Sequence, residues 1–312
     1  MCIRDRYTLG KNFEDYFQTQ LTGIIGGVSI NNLKKFSIPI PSLHEQQKIA
    51  DFLDEKISQI DIIIDKTKQS IVEFKKYKQS LITEIVTKGL NPDVKMKYSG
   101  IEWIGEIPEQ WNVSRLRYLG TLQNGISKSG DAFGSGFPFL SYGDVYRGIE
   151  LPKTVTGLIE SSASDRLNYS VTYGDVLFTR TSETIEEVGF SSTCLETIPD
   201  VVFAGFVIRF RPITDELSPN FSKYYFRSQI HRSFFAKEMN LVTRASLSQQ
   251  LLKKLPVLLP STKEQQKIAG YLDEKCAHID NLIADKEKLL SEFETYKKAL
   301  IFEYVTGKKE VE

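Results

Sequence analysis

The stretch GDVLFTRTSE, residues 174–183, carries the side chains best suited to chemistry with another molecule. An apolar Val-Leu-Phe run, suited to a buried strand, ends in Thr179, Arg180, Thr181 and Ser182. One guanidinium and three hydroxyls are thereby delivered onto a loop. A guanidinium donates paired hydrogen bonds to guanine or phosphate, and hydroxyls serve base edges or backbone oxygens. The same stretch also fits a surface arginine paired with Glu183 or Glu186, and the residues alone leave both readings open. Three further places offer similar chemistry. Lys128 lies among the four glycines of GISKSGDAFGSG, residues 125–136, whose spacing matches neither a phosphate loop nor a dinucleotide fingerprint. It reads equally as a loop that orders on a polyanion and as plain surface. Tyr142 and Arg147 flank a predicted strand end in LSYGDVYRG, residues 140–148, and Arg244 sits in VTRAS ahead of a helix start.

Residues 209–254 are locally basic, with about nine Lys or Arg against three acids. Arg227, Arg232, Lys237 and Arg244 interleave with Tyr224, Tyr225, Phe234 and Phe235, a mixture that suits a phosphate-tracking surface. The aromatics and Ile230 also fall on helical spacing, which places them in a core instead.

Catalytic chemistry finds little support. The three histidines, His44, His231 and His278, lie on predicted helices without a second ligand at metal spacing. Serine-nucleophile and Walker-type motifs are missing, and the acids concentrate on solvated helix faces. No metal site, catalytic residue or cofactor is therefore expected in this chain. Cys2, Cys194 and Cys276 are odd in number and far apart, which argues against a disulfide framework or a zinc site. Forty basic and forty acidic residues give a formal charge of zero, so the global balance carries no hint of nucleic acid. The 41% hydrophobic content suffices for real cores, and no apolar run approaches the ~18 residues of a membrane span. A cytoplasmic protein of about two domains is expected.

The elements that must position these residues are announced by a duplication. Residues 41–89, beginning PSLHEQQKIADFLDEK, return from Pro260 as PSTKEQQKIAGYLDEK, with about half of the aligned positions identical. Each copy opens with a Ser-x-x-Glu capping box, Ser42 to Glu45 and Ser261 to Glu264, so a helix starts there. Apolar residues follow at steps of three and four: Ile49, Leu53, Ile57, Ile60, Ile64 and onward, matched by Ile268, Leu272, Cys276, Ile279 and Ile283. A narrow seam held over about six heptads is a coiled-coil signature, and ~43 residues make a rod roughly 65 Å long. Mutual antiparallel packing is the economical arrangement; packing on a neighbouring domain or on another chain is the alternative.

The repeat extends upstream. GGVSINNLKKFSIPIPS resembles ASLSQQLLKKLPVLLPS, each with a serine (Ser29, Ser248) capping a short helix before a strand: Phe36, Ile38 and Ile40 in one copy, Leu255, Val257 and Leu259 in the other. Residues 1–40 thus read as the tail of a first globular domain, with MCIRDR as a foreign start. Residues 41–89 and 260–307 are the long helices, and residues 90–112 a linker with an extended lead-in. Residues 113–259 form a mainly β domain, with strands expected over 137–145, 175–180, 189–194 and 201–210 and one helical stretch over 220–238. The fold class is α+β: a mainly β domain plus two long helices forming an antiparallel coiled coil.

The order EQQKIA-x-x-LDEK, long helix, Gly-Leu-Asn-Pro, WIGEIPEQW, GDVLFTR and again EQQKIA resembles the DNA-specificity subunit of type I restriction–modification systems. The resemblance spans nearly everything after about Gly10. It implies a non-catalytic reader in which two target-recognition domains, held apart by an antiparallel helical pair, each read half of a bipartite site in double-stranded DNA. It further implies docking of methyltransferase subunits that bind S-adenosylmethionine, and of restriction subunits that use ATP and Mg, with no membrane partner. Base-contacting residues vary across the family, so none is transferred. The chain departs from the pattern in holding only the tail of a first recognition domain: it is a truncated form, or it pairs with a second copy or half-subunit. A coiled-coil adaptor whose β domain binds protein is the competing reading.

Overall fold

The computed structural model describes residues 18, 29–34, 40–182, 188–238 and 245–311. In chain order the helices are α1 (Ile30–Leu33), α2 (Leu43–Lys88), α3 (Leu116–Leu119), α4 (Tyr142–Arg147), α5 (Ala163–Asn168), α6 (Pro219–Tyr225), α7 (Ile230–Glu238), α8 (Gln249–Leu252) and α9 (Thr262–Val305). The strands are β1 (Met96–Tyr98), β2 (Glu106–Pro108), β3 (Asn112–Arg115), β4 (Gly120–Asn124), β5 (Phe133–Leu140), β6 (Leu158–Ile159), β7 (Val176–Thr179), β8 (Thr181–Ser182), β9 (Ser191–Thr193), β10 (Val202–Phe203), β11 (Val207–Pro212), β12 (Ala245–Ser246) and β13 (Pro256–Leu259). The residues fall into two compact units, one drawn from 1–76 and 278–312, the other from 77–277.

The duplication persists at the level of single hydrogen bonds. Ser42 Oγ accepts the Glu45 N–H and Ser261 Oγ accepts the Glu264 N–H, each at 3.3 Å, so α2 and α9 start where the capping serines predict. Gln46 Nε2 donates to Pro41 O at 2.8 Å and Gln265 Nε2 to Pro260 O at 2.9 Å, which ties each helix back to its preceding turn. The short upstream helices repeat as well: Ser29 Oγ accepts from Asn32 N–H at 3.2 Å and Ser248 Oγ from Leu251 N–H at 3.1 Å. Of the strand expected between α1 and α2, Phe36 and Ile38 lie outside the described residues.

In the first unit the helices pack antiparallel along the predicted seam. Ile49, Leu53, Ile60 and Ile64 of α2 share a buried cluster with Leu300, Ile301 and Val305 of α9. Phe52 stacks at 4.6 Å on Tyr304, Asp61 pairs with Lys297 at 2.5 Å and Lys75 with Glu287 at 3.3 Å, so partner numbers fall as α2 advances. Exposed pairs of this kind contribute about 0–1 kcal/mol each, and the apolar seam supplies most of the stabilisation.

In the second unit the seam moves over by one residue. Ile82 and Val86 are fully buried, whereas Leu81 and Ile85, on which the three-and-four spacing of the seam falls, are only partly so. The reason is the partner: here the helices join a wide core with Trp111, Phe178, Phe210, Phe221, Tyr225 and Leu258, and such a core needs a broader stripe than a two-position seam. The central sheet has the order β4-β11-β7-β9, antiparallel throughout. Period-two alternation sends Val176 and Phe178 into that core and Leu177 into a second one with Val207, Phe203 and Leu140. A smaller sheet, β10-β5-β6, flanks it, and β13 pairs with β3.

Four expectations change. The linker and lead-in over 90–112 contain β1 and β2, which pair from Met96↔Pro108 to Tyr98↔Glu106. The strand expected over 137–145 ends at Leu140 and gives way to α4, because Ser141 and Asp144 close a capping box. The strand expected over 201–210 is interrupted by a turn at Gly205 and Phe206. The helical stretch over 220–238 is two helices, α6 and α7.

Candidate functional site

Strand direction brings the predicted site residues to one end of the central sheet. β4 ends at Asn124, β7 at Thr179, β11 starts at Val207 and β9 at Ser191, and the ladders place these four positions on the same edge. The loops leaving that edge carry Lys128, then Arg180 with Thr181 and Ser182, then Phe206, and then Phe190. Thr179 is fully buried in β7, while Arg180 and Thr181 are half-buried beyond it. The Arg180 backbone is fixed on both sides, its N–H donating to Phe206 O at 2.9 Å and its carbonyl accepting the Leu247 N–H at 2.7 Å. Thr181 and Ser182 form β8, paired with β12.

Two glycines let the Lys128 loop reach this edge. A Cβ on Gly125 would lie 2.2 Å from the Phe203 and Ala204 carbonyl oxygens, and one on Gly205 would lie 2.4 Å from Ser127 Oγ. Only backbones without side chains fit so closely. Lys128 pairs with Asp165 at 2.9 Å. The Ser162 N–H, followed by Lys128, pulls the Asp165 carboxyl down to about 2, so the acid is ionised at any working pH. Lys128 thus holds a carboxylate in this state and meets a phosphate only by exchanging it.

Tyr142 joins the same edge through aromatic contacts. It stacks at 5.9 Å on Tyr146, whose ring lies 5.4 Å from Phe190, next to Thr179 across the ladder. Arg147, at the end of α4, keeps 78% of its side chain exposed and lies 4.0 Å from Asp144. Arg244, Glu183 and Glu186 lie outside the described residues, as does the Lys237 side chain.

The basic and aromatic mixture of residues 209–254 resolves largely into core. Tyr224, Tyr225, Phe234 and Phe235 are buried. Arg227 lies 4.2 Å above the Phe190 ring and donates to Tyr146 O at 2.7 Å and Ser191 O at 3.2 Å; burial lowers its pKa. Arg232 lies 4.9 Å from the Phe235 ring. These two guanidiniums brace the edge from behind. Lys223, nearly fully buried, bridges Glu150 at 2.7 Å and Asp273 at 2.6 Å.

The opposite end of the sheet is closed. Asp175, fully buried, accepts from Arg211 Nη2 at 2.6 Å and Nε at 2.8 Å and from the Thr172 N–H at 2.8 Å. Arg209 donates to Ser170 O and Gln123 Oε1. Burial, with Arg211 alongside, pushes its pKa down to about 10.

Sequence reasoning missed Asp165 as the Lys128 partner, and Phe206 and Phe190 as neighbours of Arg180. A Gly-Phe pair interrupting the run VVFAGFVIRF was the available signal for Phe206.

The family model described as the type I restriction modification DNA specificity domain matches residues 9–73 and 108–292. The EcoKI specificity subunit of Escherichia coli K12 is 27% identical over 276 residues, covering 85% of this chain and 57% of the relative. The MjaVIII specificity subunit of Methanocaldococcus jannaschii is 27% identical over 295 residues, covering 93% and 66%. The chain therefore spans about three-fifths of the length of the curated relatives it matches. Among solved structures, a chain of a type I R-M system determined for its complex assembly and conformational transition aligns with TM-score 0.70 at 18% identity, covering 98% of this chain and 68% of that one. The HsdS subunit of Thermoanaerobacter tengcongensis aligns with TM-score 0.53 at 18% identity, covering 95% and 68%. At these identities the structures show a shared fold.

Proposed function

The chain belongs to the type I restriction–modification DNA specificity family, and on that premise we propose that it is a sequence-specific DNA-recognition subunit whose residues 113–259 read one half of a bipartite duplex site. The observation that carries this reading is the convergence of Lys128, Arg180, Thr181 and, through Tyr146 and Phe190, Tyr142 on one sheet edge. Arg180 is the base-reading guanidinium, and Lys128 and Arg147 are phosphate contacts that set register. The chain itself is non-catalytic. It directs methyltransferase subunits, which supply S-adenosylmethionine, and restriction subunits, which supply ATP and Mg, to the site, and it works in the cytoplasm. The paired long helices are the spacer and docking post between partners.

Salt dependence of duplex binding by the full chain tests this. About two phosphate contacts, from Lys128 and Arg147, give a log–log slope near −1.8, from roughly −0.9 per phosphate. A flat dependence, or no duplex binding, favours a coiled-coil adaptor with a protein partner.

A further inference from the structure

Phe206 occupies a position that turn chemistry reserves for small or polar residues. It is one of the two central residues of the turn between β10 and β11, closed by the Val207 N–H on Ala204 O at 2.9 Å, and it is 64% exposed. A single exposed apolar residue is ordinary by itself. Three features set this one apart. The turn is clasped to the Gly125–Ser127 backbone by the close approach of Gly125 and Gly205, so the ring sits on a rigid base. Phe206 follows the last pair of the β7–β11 ladder and accepts the Arg180 N–H on its carbonyl at 2.9 Å. Finally, the neighbouring register pair, Thr179 and Val207, is the last of the ladder and is fully buried, so Arg180 and Phe206 are the first residues beyond the buried part of these strands.

We propose that Phe206 is a specificity-determining base contact that packs on the 5-methyl group of a thymine in the major groove, beside the base read by Arg180. The proposal rests on the DNA-reading function stated above. A guanidinium reaches further from its backbone than a phenyl ring. When Arg180 bonds a base edge, the ring therefore arrives at the level of the base edges rather than between base pairs. The apolar group on that edge is the thymine methyl. Cross-strand neighbours joined by a hydrogen bond lie about 5.5 Å apart, which is one to two base-pair steps of ~3.4 Å. The site should hold a guanine with a thymine within about two base pairs of it.

Selection of a randomised 20-bp duplex pool with the full chain, followed by affinity measurements on the recovered sequence, tests this. The wild type should enrich a motif containing that guanine and thymine. Phe206→Ala should melt at the wild-type temperature, relax the thymine position alone and weaken binding about 5- to 10-fold. Replacing that thymine by deoxyuridine should cost the wild type about fourfold, the share of one buried methyl, and cost the variant nothing. A motif that Phe206→Ala leaves unchanged, or an undiminished deoxyuridine effect in the variant, overturns the proposal while the DNA-reading function stands. A wild-type chain that enriches no sequence overturns both.

Discussion

At one end of the β4-β11-β7-β9 sheet, Arg209 and Arg211 bond Ser170, Gln123 and Asp175, and the guanidiniums are absorbed into a closed polar network. At the other end of the same strands, two backbone hydrogen bonds hold Arg180 among the described residues, with Phe206 exposed beside it. The difference teaches that arginine content does not locate a binding surface; what matters is whether a strand end supplies acceptors. Asp175 and the Ser170 carbonyl do so at the first end. At the second, Thr179 and Val207 are the last buried ladder pair, and beyond it Arg180 is half-buried and Phe206 exposed.

The comparison is broken most severely at its closed end. Asp175→Ala removes the buried carboxylate that accepts from Arg211 and the Thr172 N–H, leaves Arg211 the Ser170 oxygens alone, and should destabilise the protein by about 3–5 kcal/mol, read by chemical denaturation. Duplex affinity of the folded fraction should be preserved. At the open end the pattern inverts: Arg180→Ala should change stability by less than ~0.5 kcal/mol but cost about 1–3 kcal/mol of discrimination at one base pair, measured with single-substitution duplexes. Loss of folding in Arg180→Ala, or of binding alone in Asp175→Ala, would reverse the assignment of the two ends.

Acid sharpens the contrast further. His231 is buried against Tyr225 O at 3.0 Å, and burial, then Arg232, pushes its pKa down to about 3 from 6.5. Below pH ~6.5 the unfolded chain takes up a proton that the folded chain refuses. The stability owed to neutral His231 is thus complete above that pH and declines toward pH 3 by up to ~1.4 kcal/mol per unit. Denaturation midpoints across this range should slope less in His231→Gln. The smallest effect is expected at α4, where Ser141→Ala removes the capping box that orients Tyr142 and Arg147. About 1 kcal/mol of stability should be lost, with a weaker effect on duplex affinity than Arg180→Ala.

Much of the fold was legible because its signals are local. The capping serines 42, 248 and 261 and the doubled EQQKIA run fix helix starts through contacts three to five residues apart. The GDVLFTR stretch was legible as a strand ending in an arginine because β7 is buried on both faces and therefore continuously apolar. What escaped depends on register. Tyr142 and Val145 looked like strand because the preceding residues alternate, yet the Ser141–Asp144 box decides the local structure. β1 and β2 are three residues each, too short for a period to show. Arg227 and Arg232 looked like surface because their acceptors, Tyr146 O, Ser191 O and Val188 O, lie more than 35 residues away. Phe206 was invisible as a partner of Arg180 for the same reason: only a backbone hydrogen bond just beyond the β7–β11 ladder makes them neighbours.

The central claim is that residues 113–259 read DNA sequence. Its most direct test is methylation-site sequencing in cells that express this chain with a type I methyltransferase subunit, before and after residues 113–259 are replaced by those of a relative of different specificity. The account predicts that one half of the methylated motif changes to that of the donor while the other half and the spacer length stay as they were. A motif unchanged in both halves would contradict it.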